Sequence, residues 1–171
     1  MSDKANSVQK EIVVDAPVER AFRVFTDKMD SWWVREHHIG KAPMKTAILE
    51  TRSNGRWYEV GTDGSECEWG RVLVWEPPRR VVLAWQINAQ WQFDPSFMTE
   101  VEVTFTPVSQ QSTRVVLEHR NLDRFGVKAD EMRKSFDSPG GWGATLQRFA
   151  EAVRKSSGQP ASDSVRRASV E

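Results

Sequence analysis

Residues 70–85, GRVLVWEPPRRVVLAW, join two β-rich runs through a Pro-Pro pair. Proline cannot donate to the hydrogen-bond ladder of a sheet, so Pro77 and Pro78 predict a turn and the flanking runs predict two strands. A hairpin closed at this turn sets the register of the pair. The predicted partners are Trp75 with Arg80, Val74 with Val81, Val72 with Leu83, and Gly70 with Trp85. Because Gly70 has no side chain opposite a large indole, we expect an apolar sheet face with space above it for a ligand.

Length and composition restrict the class of protein. The chain has 171 residues, which suits one domain, and its 24 Lys and Arg residues balance its 24 Asp and Glu residues. A formal net charge of zero gives no support for a nucleic-acid partner. The single cysteine, Cys67, excludes an internal disulfide and a multi-cysteine metal site. Without a membrane-length apolar run or a signal-peptide core, we expect a cytoplasmic monomer or homodimer that does not bind membranes.

The hydrophobic pattern predicts the order of the elements. A strand at 8–14 is followed by two short helices, and the pattern then changes to a period of two. Six further strands are separated by turn signals such as Asn54-Gly55. Their predicted ranges are 46–52, 56–60, 66–75, 80–88, 98–107 and 113–120. A short helix at 129–136 precedes a long helix that begins at Ser138-Pro139 and runs to about Lys155.

These elements predict an α+β fold, in which a curved antiparallel sheet of about seven strands wraps around the long C-terminal helix. A helix of about sixteen residues spans roughly 24 Å, which bridges the concave face of such a sheet without filling it. We therefore expect an internal cavity between sheet and helix. The domain is predicted to cover residues 8–155, between a flexible N-terminus at 1–7 and a polar, Ser-rich, disordered tail at 156–171.

Several motifs along the chain resemble those of one known family. They are IVVDAPVERAFRVF at 12–25, WW at 32–33, NGRWY at 54–58, GRVLVWEPPRRVVLAW at 70–85, TEVEVTF at 99–105 and GGW at 140–142. The chain resembles the homologues of the activator of heat-shock protein 90 ATPase, within the START-like (SRPBCC) superfamily that includes the birch pollen allergen and polyketide cyclases. The resemblance covers about residues 8–155 and implies a helix-grip fold. It also implies a heat-shock chaperone as a partner in a stress response, although the superfamily hosts many activities.

The alternation along two strands predicts a pair of polar groups in the cavity. Glu68 shares the face of Gly70 and Val72, while His119 shares the face of Leu117. A desolvated carboxylate beside an imidazole has a shifted pKa and can act in general acid–base catalysis. A bulge of one residue would reverse either face, so a surface carboxylate and a structural histidine are the alternative.

The candidate ligand-binding residues combine an apolar wall with these two polar groups. They are Glu68, Trp85, Val103, Phe105, Leu117, His119, Trp142, Leu146 and Phe149. His37 and His38 are adjacent in a loop without a third ligand at suitable spacing, so we expect solvated histidines and no metal. The sequence contains no nucleophile triad or phosphate-binding loop, and we predict no catalytic residue and no cofactor.

Three functions follow from these expectations. The first is a non-enzymatic module that binds a hydrophobic small molecule in the cavity. The second is a cyclase- or hydrolase-type enzyme that uses Glu68 and His119. The third is a protein that regulates a chaperone ATPase through an outer sheet face bearing Trp69, Leu73 and Trp75. The eight tryptophans favour core packing, although some indoles can also line a cavity.

Overall fold

The computed structural model describes residues 6–156 and contains one antiparallel sheet of seven strands. The strands are β1 (Ser7–Val14), β2 (Met44–Leu49), β3 (Arg56–Gly61), β4 (Glu66–Glu76), β5 (Arg80–Trp85), β6 (Thr99–Ser109) and β7 (Ser112–Arg120). They pair in the order β1-β7-β6-β5-β4-β3-β2. Within the described range the helices are α1 (Val18–Thr26), α2 (Ala129–Asp137) and α3 (Trp142–Ser156), with 3-10 segments at Met29–Ser31 and Leu122–Lys128. The predicted helix-grip fold is confirmed.

The ends of the chain lie largely outside the described residues. The predicted flexible N-terminus at 1–7 and disordered tail at 156–171 overlap the structure only at residues 6, 7 and 156. Of these, Ser7 begins β1 and Ser156 ends α3. In the part of the chain that the structure describes, none of the helices has the length and apolar character needed to cross a membrane.

The β4–β5 hairpin follows the predicted register only in part. Gly70 pairs with Trp85 and Val72 with Leu83, as predicted. Beyond Val72 a β-bulge shifts the register by one residue, so that Trp75 faces Val81. The predicted pairs Val74–Val81 and Trp75–Arg80 are therefore wrong. The bulge also turns the Trp75 ring inward, where its centroid lies 5.1 Å from that of Phe22.

Gly70 is required by the close approach of two strands. A Cβ atom at this position would lie 1.7 Å from the carbonyl oxygen of Ala84 on β5. No side chain can be accommodated at that distance, because the obstructing atom belongs to the backbone. The absent side chain thus permits the two strands to come into contact. The prediction that Gly70 leaves space for a ligand is therefore wrong.

The concave face of the sheet is filled by more than one helix. From α1, Phe22 and Phe25 place their ring centroids 5.0 and 5.7 Å from Phe105 on β6. Phe25 also lies 5.2 Å from Phe149 of α3, which Trp32 approaches at 5.6 Å. These rings occupy the region where a cavity was expected. The cavity was predicted because the C-terminal helix alone was expected to cover the sheet.

The start of α3 differs from the prediction by one turn. Ser138 does not cap α3 but follows the end of α2, where its hydroxyl donates to the carbonyl of Ser135 at 2.7 Å. A Cβ at Gly141 would lie 2.2 Å from the carbonyl oxygen of Phe136, so the glycine lets the two helices meet closely. The helix then begins at Trp142, which brings this indole to the junction of α2 and α3.

Candidate ligand-binding pocket

A pocket of about 310 Å³ lies at one end of the sheet. It is bounded by the loop after the Trp-Trp pair, by the ends of β4 and β5, by the loop that follows β5 and by α2. Its lining residues are Trp33, Glu36, His37, His38, Ile39, Trp69, Trp85, Ile87, Trp91 and Ser135. A second pocket of about 210 Å³ shares Trp33, His37, Trp85, Trp91 and Ser135 with the first and extends to Trp142 and Thr145. The two volumes therefore form neighbouring parts of one site.

Buried indoles form most of the pocket wall. The ring centroid of Trp33 lies 5.1 Å from that of Trp69 and 6.0 Å from that of Trp142, and Trp85 lies 5.9 Å from Trp142. Their N–H groups all donate within the protein, at 2.8 to 3.1 Å. The acceptors are the carbonyl of His37 for Trp33, Glu59 for Trp69, the carbonyl of Ile87 for Trp85, and His119 for Trp142. These indoles consequently present ring surfaces to the pocket, without free hydrogen-bond donors.

Trp91 is the exposed aromatic residue of the site. Its side chain lines both pockets and is 44% exposed, and its backbone φ is +59°. A left-handed conformation is costly for a bulky residue. The turn is fixed by Asn88, whose side-chain oxygen accepts from the backbone N–H groups of Gln90 and Gln92 at 3.0 and 3.1 Å. Strain together with exposure makes Trp91 a candidate ligand-contacting residue, which lies between the predicted strands 80–88 and 98–107.

His119 lies behind the pocket wall in a complete hydrogen-bond chain. The Trp142 indole donates to its Nδ1 at 3.1 Å, which leaves the ring hydrogen on Nε2. That N–H donates to the hydroxyl of Thr99 at 2.8 Å, and Thr99 donates to the carbonyl of Trp85 at 3.4 Å. Complete burial lowers the pKa of His119 to about 3. The imidazole is therefore neutral and has no free nitrogen for acid–base chemistry.

The predicted pair of Glu68 and His119 is wrong. Trp57 pairs with Gly70 but Tyr58 pairs with Glu68, so Trp69 is the extra residue of a β-bulge in β4. The bulge turns Glu68 to the solvent side, where Arg56 donates to its carboxylate from Nε at 2.9 Å. The same bulge buries Trp69, which therefore cannot belong to an exposed row with Leu73 and Trp75.

The other predicted ligand-binding residues divide between the pocket and the core. Trp85 and Trp142 line the pocket, and their contact with a ligand stays a prediction. The remaining apolar residues are buried in the hydrophobic core and line neither pocket, which corrects their placement on a cavity wall: Val103, Phe105, Leu117, Leu146 and Phe149. The sequence pattern does not place Trp33, His37 and His38 at a ligand site, because they lie in a loop, where no periodicity indicates direction.

Of the two loop histidines, His37 is exposed, as expected, whereas His38 is partly buried. Burial is the main cause that lowers the pKa of His37, with Glu36 acting in the opposite direction. His38 lines the larger pocket with its side chain 25% exposed. The nearby Cys67 thiol has its pKa raised, first by burial and then by Glu59 and Glu68, which agrees with an unreactive thiol. Across residues 6–156, no group of three or more His, Cys, Asp or Glu side chains is arranged to hold a metal ion.

Comparisons with solved structures support this fold. The chain is 39% identical to the anthrahydroquino-gamma-pyrone synthase Txn09, solved as a complex, over 86% of this chain and 96% of that chain with a TM-score of 0.62. It is 28% identical to the self-sacrificing resistance protein CalC from Micromonospora echinospora, over 90% and 97% with a TM-score of 0.67. Protein NE0264 from Nitrosomonas europaea, at 15% identity, 92% and 99% coverage and a TM-score of 0.66, shares the fold.

Comparison with curated proteins gives no match. The model of the family described as activator of Hsp90 ATPase homolog 1-like protein matches residues 15–154, which is most of the chain. The domain described above, from α1 through the sheet to α3, lies within these bounds apart from β1 and the last two residues of α3. The chain therefore belongs to the activator of Hsp90 ATPase homolog 1-like family.

Proposed function

We propose that this protein binds a planar aromatic small molecule in the indole-lined pocket. The observation that carries the proposal is the wall of Trp33, Trp69, Trp85 and Trp142, whose N–H groups are already bonded within the protein. Such a wall recognises a ligand through ring stacking and edge contacts, which suits flat, conjugated molecules. The volume of about 310 Å³ falls within the range of about 300 to 1,000 Å³ for small-molecule sites.

The similar proteins support this ligand class. Txn09 is named as a synthase of an anthrahydroquino-gamma-pyrone, a name that denotes fused aromatic rings. An identity of 39% to a synthase also favours a second candidate, an enzyme that acts on such a molecule in the same pocket. The pair Glu68 and His119 cannot serve it, because Glu68 faces solvent and both nitrogens of His119 are occupied.

Regulation of a chaperone ATPase has less support from the surface. Trp69 is buried and Trp75 packs on Phe22, so the expected apolar row is not exposed. The solvent side of the sheet instead carries ion pairs, such as Glu102 with Arg80 and with Arg120, both at 2.5 Å. Such a charged surface gives no apolar contact patch for a partner.

Titration with 1,2-dihydroxyanthraquinone tests the proposal. Binding should quench the tryptophan fluorescence of the protein, and Trp91→Ala should weaken affinity about tenfold because it removes one stacking surface. Val108→Ala is the control, since Val108 is also an exposed hydrophobic residue but lies at the far end of β6. Native mass spectrometry of the freshly purified protein provides a second readout through a co-purifying molecule. A wild-type protein that neither quenches nor binds the probe would contradict the proposal.

A further inference from the structure

A buried carboxylate connects the pocket loop to the sheet. Glu59 of β3 is only 1% exposed. Its Oε1 accepts from the backbone N–H of Ile39 at 2.7 Å and from the Trp69 indole at 2.8 Å, while its Oε2 accepts from the backbone N–H of Gly40 at 3.1 Å. All three donors match an ionised carboxylate, which only accepts hydrogen bonds. One side chain thus fixes both the loop and an indole of the pocket wall.

The same carboxylate lies beside His38. The Nδ1 atom of His38 is 3.0 Å from the carbonyl oxygen of Gly40 and 3.7 Å from Oε2 of Glu59. A carbonyl oxygen can only accept, so Nδ1 carries the hydrogen and the lone pair resides on Nε2. Among the residues that the structure describes, none forms a hydrogen bond with this Nε2. His38 therefore provides the pocket with an imidazole whose Nδ1 donates to a backbone carbonyl and lies 3.7 Å from a carboxylate.

Two carboxylates, a histidine and a thiol lie close to His38. Glu36 lines the same pocket, and Oε2 of Glu59 lies 3.7 Å from Nδ1 of His38. His37 also faces the pocket, but burial lowers its pKa and keeps it neutral. Cys67 of β4, whose Cβ would lie 3.8 Å from a Cβ at Gly40, stays a neutral thiol because its pKa is raised. An imidazolium at His38 would thus lie near two carboxylates, while the positive charge of Arg148 on α3 acts on the adjacent His37.

We infer that His38, whose loop is anchored by Glu59, is the proton acceptor of the pocket for a phenolic hydroxyl on the bound aromatic molecule. This inference rests on the proposed function, because it assumes a ligand in the same site. In the transfer, the O–H bond of the phenol breaks and an N–H bond forms at Nε2. The ligand becomes a phenolate and His38 an imidazolium, whose charge is balanced by the Glu59 carboxylate. No further reactant is needed.

The ionisation of bound 1,2-dihydroxyanthraquinone tests this role, since its phenol and phenolate forms absorb at different wavelengths. An imidazolium beside the phenolate stabilises it, so the bound probe should ionise at a lower pH in the wild-type protein than in His38→Asn, by about one pH unit. Asparagine places an amide N–H where Nδ1 lies and so preserves the contact with the Gly40 carbonyl, which separates proton transfer from loop anchoring. Glu59→Gln should shift the profile in the same direction.

The control is Glu68→Gln, which removes a carboxylate from the solvent side of the sheet and should leave the ionisation profile unchanged. A His38→Asn protein that binds the probe and titrates like the wild type overturns the inference alone. The inference is also overturned if the low ionisation pH of the bound probe is lost in His37→Asn but kept in His38→Asn. Failure of the wild-type protein to bind the probe overturns the proposed function, and the inference with it.

Discussion

The chain of hydrogen bonds from Trp142 through His119 and Thr99 to the Trp85 carbonyl explains how a histidine can be fully buried. Each polar atom has a partner, so the neutral ring incurs little desolvation cost. Protonation of the His119 ring would place a second hydrogen on Nδ1, which could then no longer accept from the Trp142 N–H. A residue of this kind positions two pocket indoles and takes no part in proton transfer.

The buried histidine makes stability depend on pH. The unfolded chain protonates His119 near pH 6.5, whereas the folded protein resists protonation until about pH 3. Its stabilising contribution is fully present above pH 6.5 and decreases as the pH falls toward 3. Between pH 7 and 5 we expect the wild-type protein to lose about 2 kcal/mol more of its free energy of unfolding than His119→Gln. Urea denaturation at both pH values measures this, and equal losses would contradict it.

The two β-bulges of β4 decide which side chains of this strand reach the interior. One inserts Trp69 opposite β3, and the other shifts the register against β5 after Val72. Each changes the phase of a strand that otherwise alternates regularly. As a result Trp69 and Trp75 turn inward, and Glu68 turns outward to Arg56. Gly70 lies between the bulges at the point where β4 and β5 come closest.

Replacement of Gly70 by alanine should therefore disrupt the hairpin. The added Cβ would lie 1.7 Å from the Ala84 carbonyl oxygen, so the strands must separate, and we expect a loss of about 3 kcal/mol in the free energy of unfolding. Gly143→Ala is the matched control, because no atom lies within 4 Å of its Cβ position in α3. That change should be neutral or stabilise by up to about 1 kcal/mol. Urea unfolding compares the variants, and similar midpoints would refute the strand-contact explanation.

At the scale of the whole molecule, side chains fill the core between the sheet and α3, and the pocket lies at one end of the sheet. The rings of Phe22, Phe25, Phe105 and Phe149 contact each other between the sheet and α3. The pocket forms where loops, rather than regular elements, complete the wall, at Trp33 and Trp91. Stability and ligand binding should therefore be assigned to different parts of the molecule.

Two substitutions separate these parts. Phe105→Ala creates a cavity in a filled core and should cost about 3 to 5 kcal/mol of stability. Trp91→Ala removes a largely exposed ring and should change stability by less than about 1 kcal/mol, while it weakens binding of the anthraquinone probe. Thermal or urea unfolding gives the first quantity and fluorescence titration the second. A small cost for Phe105→Ala would indicate that the interior is open after all.

Local pattern predicted much of the fold. The inward faces of β6 and β7 were assigned correctly, because Val101, Val103 and Leu117 lie on strands that alternate without a bulge in this region. The turn at Pro77-Pro78 was also correct, since proline cannot continue the ladder. The family resemblance is confirmed by the match over residues 15–154. Of the candidate site, Trp85 and Trp142 were placed at the pocket.

The order of the elements, the β4–β5 turn and the number of indoles follow from the amino-acid sequence, because they depend on periodicity, proline chemistry and composition. Which indoles line the pocket, and the position of Glu68 outside it, depend on tertiary packing. A strand's period of two says nothing about an inserted residue such as Trp69. Nor does local pattern reveal a contact like that between Glu59 and the Ile39 N–H, which are 20 residues apart in sequence and meet only when the loop packs on the sheet.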